Sequence, residues 1–141
     1  MCRLLAVRSQ NPFDPRDYLT RFAFIARNSK EYQGHGWGCS WLAGGGWNTY
    51  RNVCPVWDDG LSRFGRTTLL LAHARSAFRD EGVAVENNMP FTDGRTVFIF
   101  NGELHGVEAV IDKDYASSLL AIELRPHLAA PIGPKRDGPT A

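Results

Sequence analysis

The chain has 141 residues, with 16 lysines and arginines against 15 aspartates and glutamates, so its formal net charge is +1. This length is typical of one domain, and a 43% hydrophobic content can fill a core. No basic run stands out, which argues against a nucleic-acid partner. No stretch approaches the roughly 20 apolar residues of a membrane helix, and no signal-peptide pattern is visible. We therefore expect a cytoplasmic protein with no membrane partner.

The first third of the chain predicts a strand followed by a helix. Residues 2–7 are apolar and β-compatible, and residues 11–15 have the composition of a turn. Apolar residues then recur at helical spacing over about residues 15–27. Asp14 is placed to cap this helix, with Pro15 in its first turn.

The rest of the chain predicts mostly strands. Residues 36–42 and 47–53 are expected to pair across a turn at the three glycines 44–46, and residues 55–65 are expected to be irregular. Two apolar runs predict buried strands, at 67–74 and 97–100, joined by a long connection. A helix is expected over 115–124, and the Pro- and Gly-rich tail 126–141 is expected to be disordered.

Three cysteines, Cys2, Cys39 and Cys54, form neither a disulfide framework nor a CxxC pair. Removal of Met1, which a small second residue favours, would leave Cys2 with a thiol and a free α-amine. The pKa of an α-amine is about 7.7–8.0, so this amine can act as the base for its own thiol. Taken alone, Cys2 is better interpreted as a small residue packed at the start of a strand, because free cysteines are commonly buried.

Asn101 and Gly102 directly follow the second apolar run. A side-chain amide and a backbone N–H at a strand end can both point at a developing oxyanion. The same dipeptide is also a common hairpin turn. Both interpretations stay open for the pair alone.

His73 and Arg75 end the first apolar run. The planar guanidinium of Arg75 suits bidentate capture of a carboxylate. The alternative is an internal salt bridge, for which the candidate partners are Asp80, Glu81 and Glu86.

Glycines at positions 34, 36 and 38 allow a close backbone approach at the entry to a strand, with His35 between them. No Lys-Ser/Thr pair follows, so this segment is not a phosphate loop. Residues 86–91, which include Asn87, could clamp a ligand or form a simple turn.

In chain order, the chain has Cys2, the Gly-x-Gly-Trp-Gly strand of residues 34–38, His73-x-Arg75, Asn87-x-x-Pro90-Phe91 and Phe-Asn-Gly-Glu-Leu at residues 100–104. Together they resemble the class II glutamine amidotransferases. The resemblance covers about residues 1–107. It implies a domain over residues 1–125 with the α+β fold of N-terminal-nucleophile hydrolases, a four-layer αββα sandwich. Because members of the family usually continue well past 141 residues, we expect this sandwich to be truncated at its C-terminal side.

The resemblance also implies site residues. Cys2 is the expected nucleophile, Asn101 and Gly102 form the oxyanion hole, and Arg75 binds the α-carboxylate of glutamine. His73 and Asn87 are further expected substrate-binding residues, and either Asp112 or Asp114, with Asp112 favoured, binds the α-amine. Many members have an aspartate where this chain has His35.

The expected activity is hydrolysis of the glutamine side-chain amide through a Cys2 thioester, without a cofactor. Alternatives are hydrolysis of another γ-glutamyl amide, or an inactive remnant that only binds a partner. The expected partners are glutamine or a γ-glutamyl amide, with a synthase subunit or a second copy of the chain as further possibilities. A different class, an internal dyad of Cys39 or Cys54 with His73 or His105, is also considered. The four histidines, His35, His73, His105 and His127, lack a metal-site spacing.

Overall fold

Four antiparallel strands and one helix form most of the computed structural model, which describes residues 1–77 and 83–102. The strands are β1 (Arg3–Phe13), β2 (Trp37–Ala43), β3 (Gly46–Asn52) and β4 (Thr67–Ala74), in the sheet order β1-β4-β2-β3, and the helix is α1 (Pro15–Arg27). A separate ladder joins β5 (Phe91–Thr92) to β6 (Val97–Phe98), and short 3-10 turns cover Val56–Asp58 and Val85–Asn87. These elements confirm the expected α+β class for the described residues. The expected helix at 115–124 and the tail 126–141 lie outside the described residues.

The helix α1 begins and ends where its local sequence predicts. The side chain of Asp14 accepts a hydrogen bond from the backbone N–H of Arg16 at 2.9 Å, and Pro15 occupies the first turn. At the other end the Asn28 amide donates to the carbonyl of Phe24 at 2.8 Å. One face of the helix, comprising Leu19, Phe22, Ala23 and Ala26, is buried.

The hairpin between β2 and β3 turns on two glycines with left-handed dihedrals. Gly44 has a φ of 62° and Gly45 a φ of 79°, and Ala43 pairs with Gly46 on either side of them. This is the two-residue hairpin loop in which both central residues need positive φ. The third glycine of the predicted turn is therefore the first residue of β3.

The central strand β4 is buried along most of its length between β1 and β2. Leu70, Ala72 and Ala74 join the core cluster with the buried face of α1. Because side chains alternate across a strand, Leu71 and His73 belong to the opposite face. The first residues of β1 and β2 both reach the end of β4, where Ala74 pairs with Arg3 and with Trp37.

Two local predictions were wrong. Residues 11–13 were expected in a turn, but β1 continues to Phe13 through a register irregularity between Arg8 and Phe13. Pro12 is compatible with this strand because β1 is an edge strand, where a missing backbone donor need not break the ladder. The strand expected at 97–100 ends at Phe98, because the backbone amide of Phe100 instead donates to the Met89 sulfur at 3.1 Å.

Candidate active site

Three chain segments meet where β4 ends. Cys2 precedes the pair Arg3–Ala74, and Gly36 precedes the pair Trp37–Ala74. Hydrogen bonds from Arg75 N to Gly36 O at 2.9 Å and from His35 N to Arg75 O at 3.2 Å continue the β2–β4 ladder past its last strand residue. The register of the sheet thus brings residues 2, 36 and 75 to one edge.

The Cys2 thiol lies against the backbone that follows β4. The Ser76 N–H donates to Cys2 Sγ at 3.4 Å, and Sγ lies 3.9 Å from the Ser76 carbonyl oxygen. Asn101, which is 99 positions away, donates from Nδ2 to the Cys2 carbonyl oxygen at 3.0 Å. The fold therefore brings together two of the predicted catalytic residues. Gly102 follows Asn101 and is exposed.

Met1 precedes Cys2 and is 70% exposed. Its ammonium group forms an ion pair with Glu31. The Arg3 guanidinium lies 3.5 Å from the Met1 carbonyl oxygen and 3.4 Å from that of Cys2. The Gln33 amide nitrogen donates to the Met1 carbonyl oxygen at 2.8 Å and to that of Glu31 at 3.0 Å. The N-terminus is accordingly held by side chains from β1 and from the loop after α1.

His73 and Arg75 are both buried beside this edge, with 2% and 6% of their surfaces exposed. Burial, and next the nearby charge of Arg75, lower the pKa of His73 to about 4. His73 is therefore neutral at pH 7. Within the described part of the chain, neither of its ring nitrogens has a hydrogen-bond partner.

His35 stabilises the segment that carries Arg75 and Ser76. Its Nδ1 accepts a hydrogen bond from the backbone N–H of Ala77 at 3.0 Å, and its ring packs edge-on against Tyr32 at 5.0 Å. These contacts give His35 a positioning role in the backbone next to Cys2.

The glycine spacing before and within β2 makes room for the loop before β5. A Cβ atom on Gly36, whose φ is 106°, would lie 2.1 Å from the Asn88 amide nitrogen, and one on Gly38 would lie 2.4 Å from the Met89 carbonyl oxygen. The close approach predicted for these glycines is confirmed. Because Gly38 has no side chain, β2 can pair Gly38 with His73 while the Met89 carbonyl oxygen lies close to the backbone of Gly38.

Of the two neighbouring asparagines, Asn88 rather than Asn87 faces inward. Asn88 is fully buried, and its amide donates to the Asn52 carbonyl oxygen at 2.8 Å. The backbone carbonyl oxygen of Asn88 accepts a hydrogen bond from the Arg51 guanidinium at 3.3 Å. Asn87, the predicted substrate-binding residue, ends a 3-10 turn and is exposed. The sequence signal that could have found Asn88 is the Gly-x-Gly spacing, which needs a close neighbour.

Sequence reasoning missed a buried carboxylate at the open end of the β2–β3 hairpin, where Trp37 pairs with Asn52. The side chain of Asp59 is 6% exposed. Its Oδ2 accepts three side-chain hydrogen bonds, from Trp37 Nε1 at 2.9 Å, Tyr50 OH at 2.8 Å and Asn52 Nδ2 at 3.0 Å. Its Oδ1 accepts from Gly60 N at 2.7 Å and from Arg63 at 2.6 Å. Burial alone would raise the pKa of Asp59, but these hydrogen bonds outweigh it and lower the pKa.

The other two thiols are poor nucleophiles. Burial raises the pKa of Cys39 strongly, and burial together with a hydrogen bond to Asp59 raises the pKa of Cys54 to about 11. Cys39 pairs with Ala72, so its side chain and that of His73 lie on opposite faces of the sheet. These observations count against a dyad of either cysteine with His73.

Several predicted residues lie outside the described part of the chain. They are Asp80, Glu81, His105, Asp112, Asp114 and His127. Glu86 is described and exposed. Across residues 1–77 and 83–102, no cluster of three or more His, Cys, Asp or Glu side chains is arranged to hold a metal ion.

Comparison with protein-family models gives no match, and comparison with curated proteins gives none either. Among the described residues, no helix is both long and apolar enough to cross a membrane.

Proposed function

We propose that this protein hydrolyses the side-chain amide of glutamine with Cys2 as an N-terminal nucleophile, as class II glutamine amidotransferases do. The observation that carries the proposal is the 3.0 Å hydrogen bond from Asn101 to the Cys2 carbonyl oxygen. It joins two residues that the motif order singles out independently of their distance in space. The Ser76 N–H at Cys2 Sγ is a further donor at the same place.

In the proposed reaction, removal of Met1 exposes the α-amine of Cys2, which takes the thiol proton directly or through water. Sγ attacks the amide carbon, and the resulting oxyanion is stabilised by Asn101 Nδ2 and the Gly102 N–H. The C–N bond breaks and ammonia leaves with a proton returned by the amine. Water then cleaves the glutamyl thioester, which releases glutamate and regenerates the thiol.

Substrate binding is assigned to the buried residues at the end of β4. Arg75 supplies a fixed positive charge next to Ser76, in a position suited to the α-carboxylate of glutamine. His73 is uncharged at pH 7 and can therefore line the site without competing for that carboxylate. Asn87 and Asp112 remain candidates for contacts to the rest of the substrate.

The proposed fold is the αββα sandwich of N-terminal-nucleophile hydrolases. The four-stranded sheet with α1 on one face would be one half of it. Leu5 packs against the core on the α1 side, so the neighbouring Leu4 points to the other face, where it is 42% exposed. A second sheet that begins with β5 and β6 would cover this face.

The test treats the purified protein with a diazoketone analogue of glutamine and measures intact mass and the labelled peptide. We expect one label on Cys2 in a chain that lacks Met1. Cys2→Ala should abolish both the label and ammonia release from glutamine, whereas Cys54→Ala should leave both unchanged. Retention of Met1 in labelled protein, or labelling that survives Cys2→Ala, would refute the mechanism. A panel of γ-glutamyl amides in the same ammonia assay would show whether glutamine is the preferred substrate.

A further inference from the structure

Gln33 is a fully buried residue that the proposed reaction does not yet use. Its amide nitrogen donates to two backbone carbonyls, those of Met1 and Glu31. Both neighbours are acceptors, so the orientation of the amide is fixed, with nitrogen towards them. Its Oε1 is buried and has no hydrogen-bond partner in the described part of the chain. An unsatisfied buried acceptor is uncommon in folded proteins and calls for an explanation.

The position of Gln33 matters because the Met1 carbonyl belongs to the peptide group of Cys2 N. The C=O and C–N bonds of a peptide are about 1.23 and 1.33 Å long, so this oxygen and Cys2 N are immediate neighbours. Gln33 Nε2, 2.8 Å from the oxygen, therefore lies no more than about 5 Å from the atom that becomes the free α-amine. Removal of Met1 takes away an acceptor and creates a group with N–H donors at this place.

We propose that Gln33 positions the α-amine of Cys2 in the mature chain, by accepting one of its N–H bonds at Oε1. Once the Met1 carbonyl is gone, a half-turn of the side-chain amide puts Oε1 in the place of Nε2, towards the amine, and gives up the hydrogen bond from Nε2 to the Glu31 carbonyl. This bond directs the amine lone pair, which must face Sγ to accept the thiol proton. The inference rests on the proposed function, because it concerns the base of that same reaction.

Among the residues that the structure describes, charged side chains near the N-terminus include those of Arg3, Glu31 and Arg75. The Arg3 guanidinium contacts the Met1 and Cys2 carbonyl oxygens, and Glu31 holds the Met1 ammonium. Arg75 lies next to Ser76, which contacts Sγ. Gln33 itself is neutral, so Gln33→Glu adds a negative charge at a position that has none in the wild type.

The test compares the rate of Cys2 labelling by the diazoketone analogue across pH in three variants. Gln33→Met keeps the length of the side chain and removes both polar atoms. Gln33→Glu keeps the acceptor and removes the donor. Gln10→Met makes the same change as the first variant at an exposed glutamine of β1 and is the matched control.

We expect Gln33→Met to slow labelling at pH 7.5 by about tenfold or more, within the range that a correctly placed base contributes, and Gln10→Met to match the wild type. Gln33→Glu should retain the wild-type labelling rate on the plateau above the acid limb, because its carboxylate can still accept from the amine. A carboxylate beside the ammonium favours the charged form, so the acid limb of its pH–rate profile should move up by about one unit. If Gln33 were only a structural donor, Gln33→Glu would not restore the plateau rate.

The outcomes separate the two proposals. Absence of Cys2 labelling in the wild type would refute the proposed function itself. Normal wild-type labelling with an equally fast Gln33→Met variant would overturn only the role of Gln33. Equal slowing in Gln33→Met and Gln33→Glu, without a shifted acid limb, would overturn it as well. If Gln33→Met does not fold, Gln33→Glu decides alone: a wild-type plateau rate with a raised acid limb supports the role, and a slowed plateau or an unchanged limb refutes it.

Discussion

Replacing Asp59 by asparagine removes one charge and almost no volume, yet it should strongly weaken the fold. The carboxylate is an acceptor at both oxygens, and Oδ2 alone receives hydrogen bonds from Trp37, Tyr50 and Asn52. An asparagine has one acceptor oxygen and one NH2 group. Whichever way its amide turns, the NH2 group faces donors instead of acceptors.

The less costly orientation keeps the oxygen towards the three side chains. The NH2 group then faces the Gly60 N–H and the Arg63 guanidinium, which both lose their acceptor. Gly60 is exposed and Arg63 is 46% exposed, so both donors can turn to water, and the main cost is the loss of two hydrogen bonds to a charged acceptor, which contribute about 1.5–3 kcal/mol each. We therefore expect Asp59→Asn to lower the free energy of unfolding by about 2–4 kcal/mol. That is a large share of the 5–15 kcal/mol typical of a domain.

Urea unfolding at pH 7 measures this loss, and Asp58→Asn is the matched control because the neighbouring carboxylate is exposed. The hydrogen bonds lower the pKa of Asp59, so its stabilisation is complete above the unfolded-state pKa of about 3.9 and is lost as the pH falls through the lower folded value. The variant should lack this acid-sensitive part. A change within about 0.5 kcal/mol, the usual effect of surface substitutions, would refute the reasoning.

Three further predictions concern other parts of the molecule. Gly36→Ala should destabilise the fold by about 1–3 kcal/mol from its positive φ alone, with an added clash at Asn88. Gly46 has open space around it, so Gly46→Ala should change urea unfolding little. The pKa of His73 is lowered to about 4, so as the pH falls from 6.5 towards 4 the fold should lose about 3 kcal/mol. An NMR titration midpoint near 6.5 for this imidazole would contradict that expectation. Brief alkylation at pH 7 should spare Cys54, whose pKa is raised to about 11 by burial and Asp59. The same treatment should modify Cys2, and peptide mapping distinguishes the two thiols.

Elements with local causes could be predicted from the sequence. The helix α1 spans Pro15–Arg27, as its Asp14 cap and apolar spacing indicate. The hairpin turn at Gly44 and Gly45 needs positive φ, which glycine provides. The apolar run Thr67–Ala74 is β4 in full. In each case the residues that determine the structure are neighbours in the chain.

Features with distant partners could not be predicted in this way. Asp59 lies in a segment expected to be irregular, and its partner Trp37 is 22 positions away. Gln33 depends on a carbonyl 32 positions away, and Asn88 on one 36 positions away. Nothing in the local pattern distinguishes Asn88 from Asn87, because side-chain direction in a loop is set by what the loop crosses. Motif order, in contrast, does single out Cys2 and Asn101, which the fold joins.

The bond between Asn101 and Cys2 also has a consequence for biosynthesis. Cys2 leaves the ribosome early, but its partner follows 99 residues later, and at about 5–20 residues per second that delay is roughly 5–20 s. The proposed removal of Met1 by a methionine aminopeptidase can therefore precede the formation of this bond. A tag fused in front of Met1 would block that step, so recombinant protein for any assay of the thiol should carry its tag elsewhere.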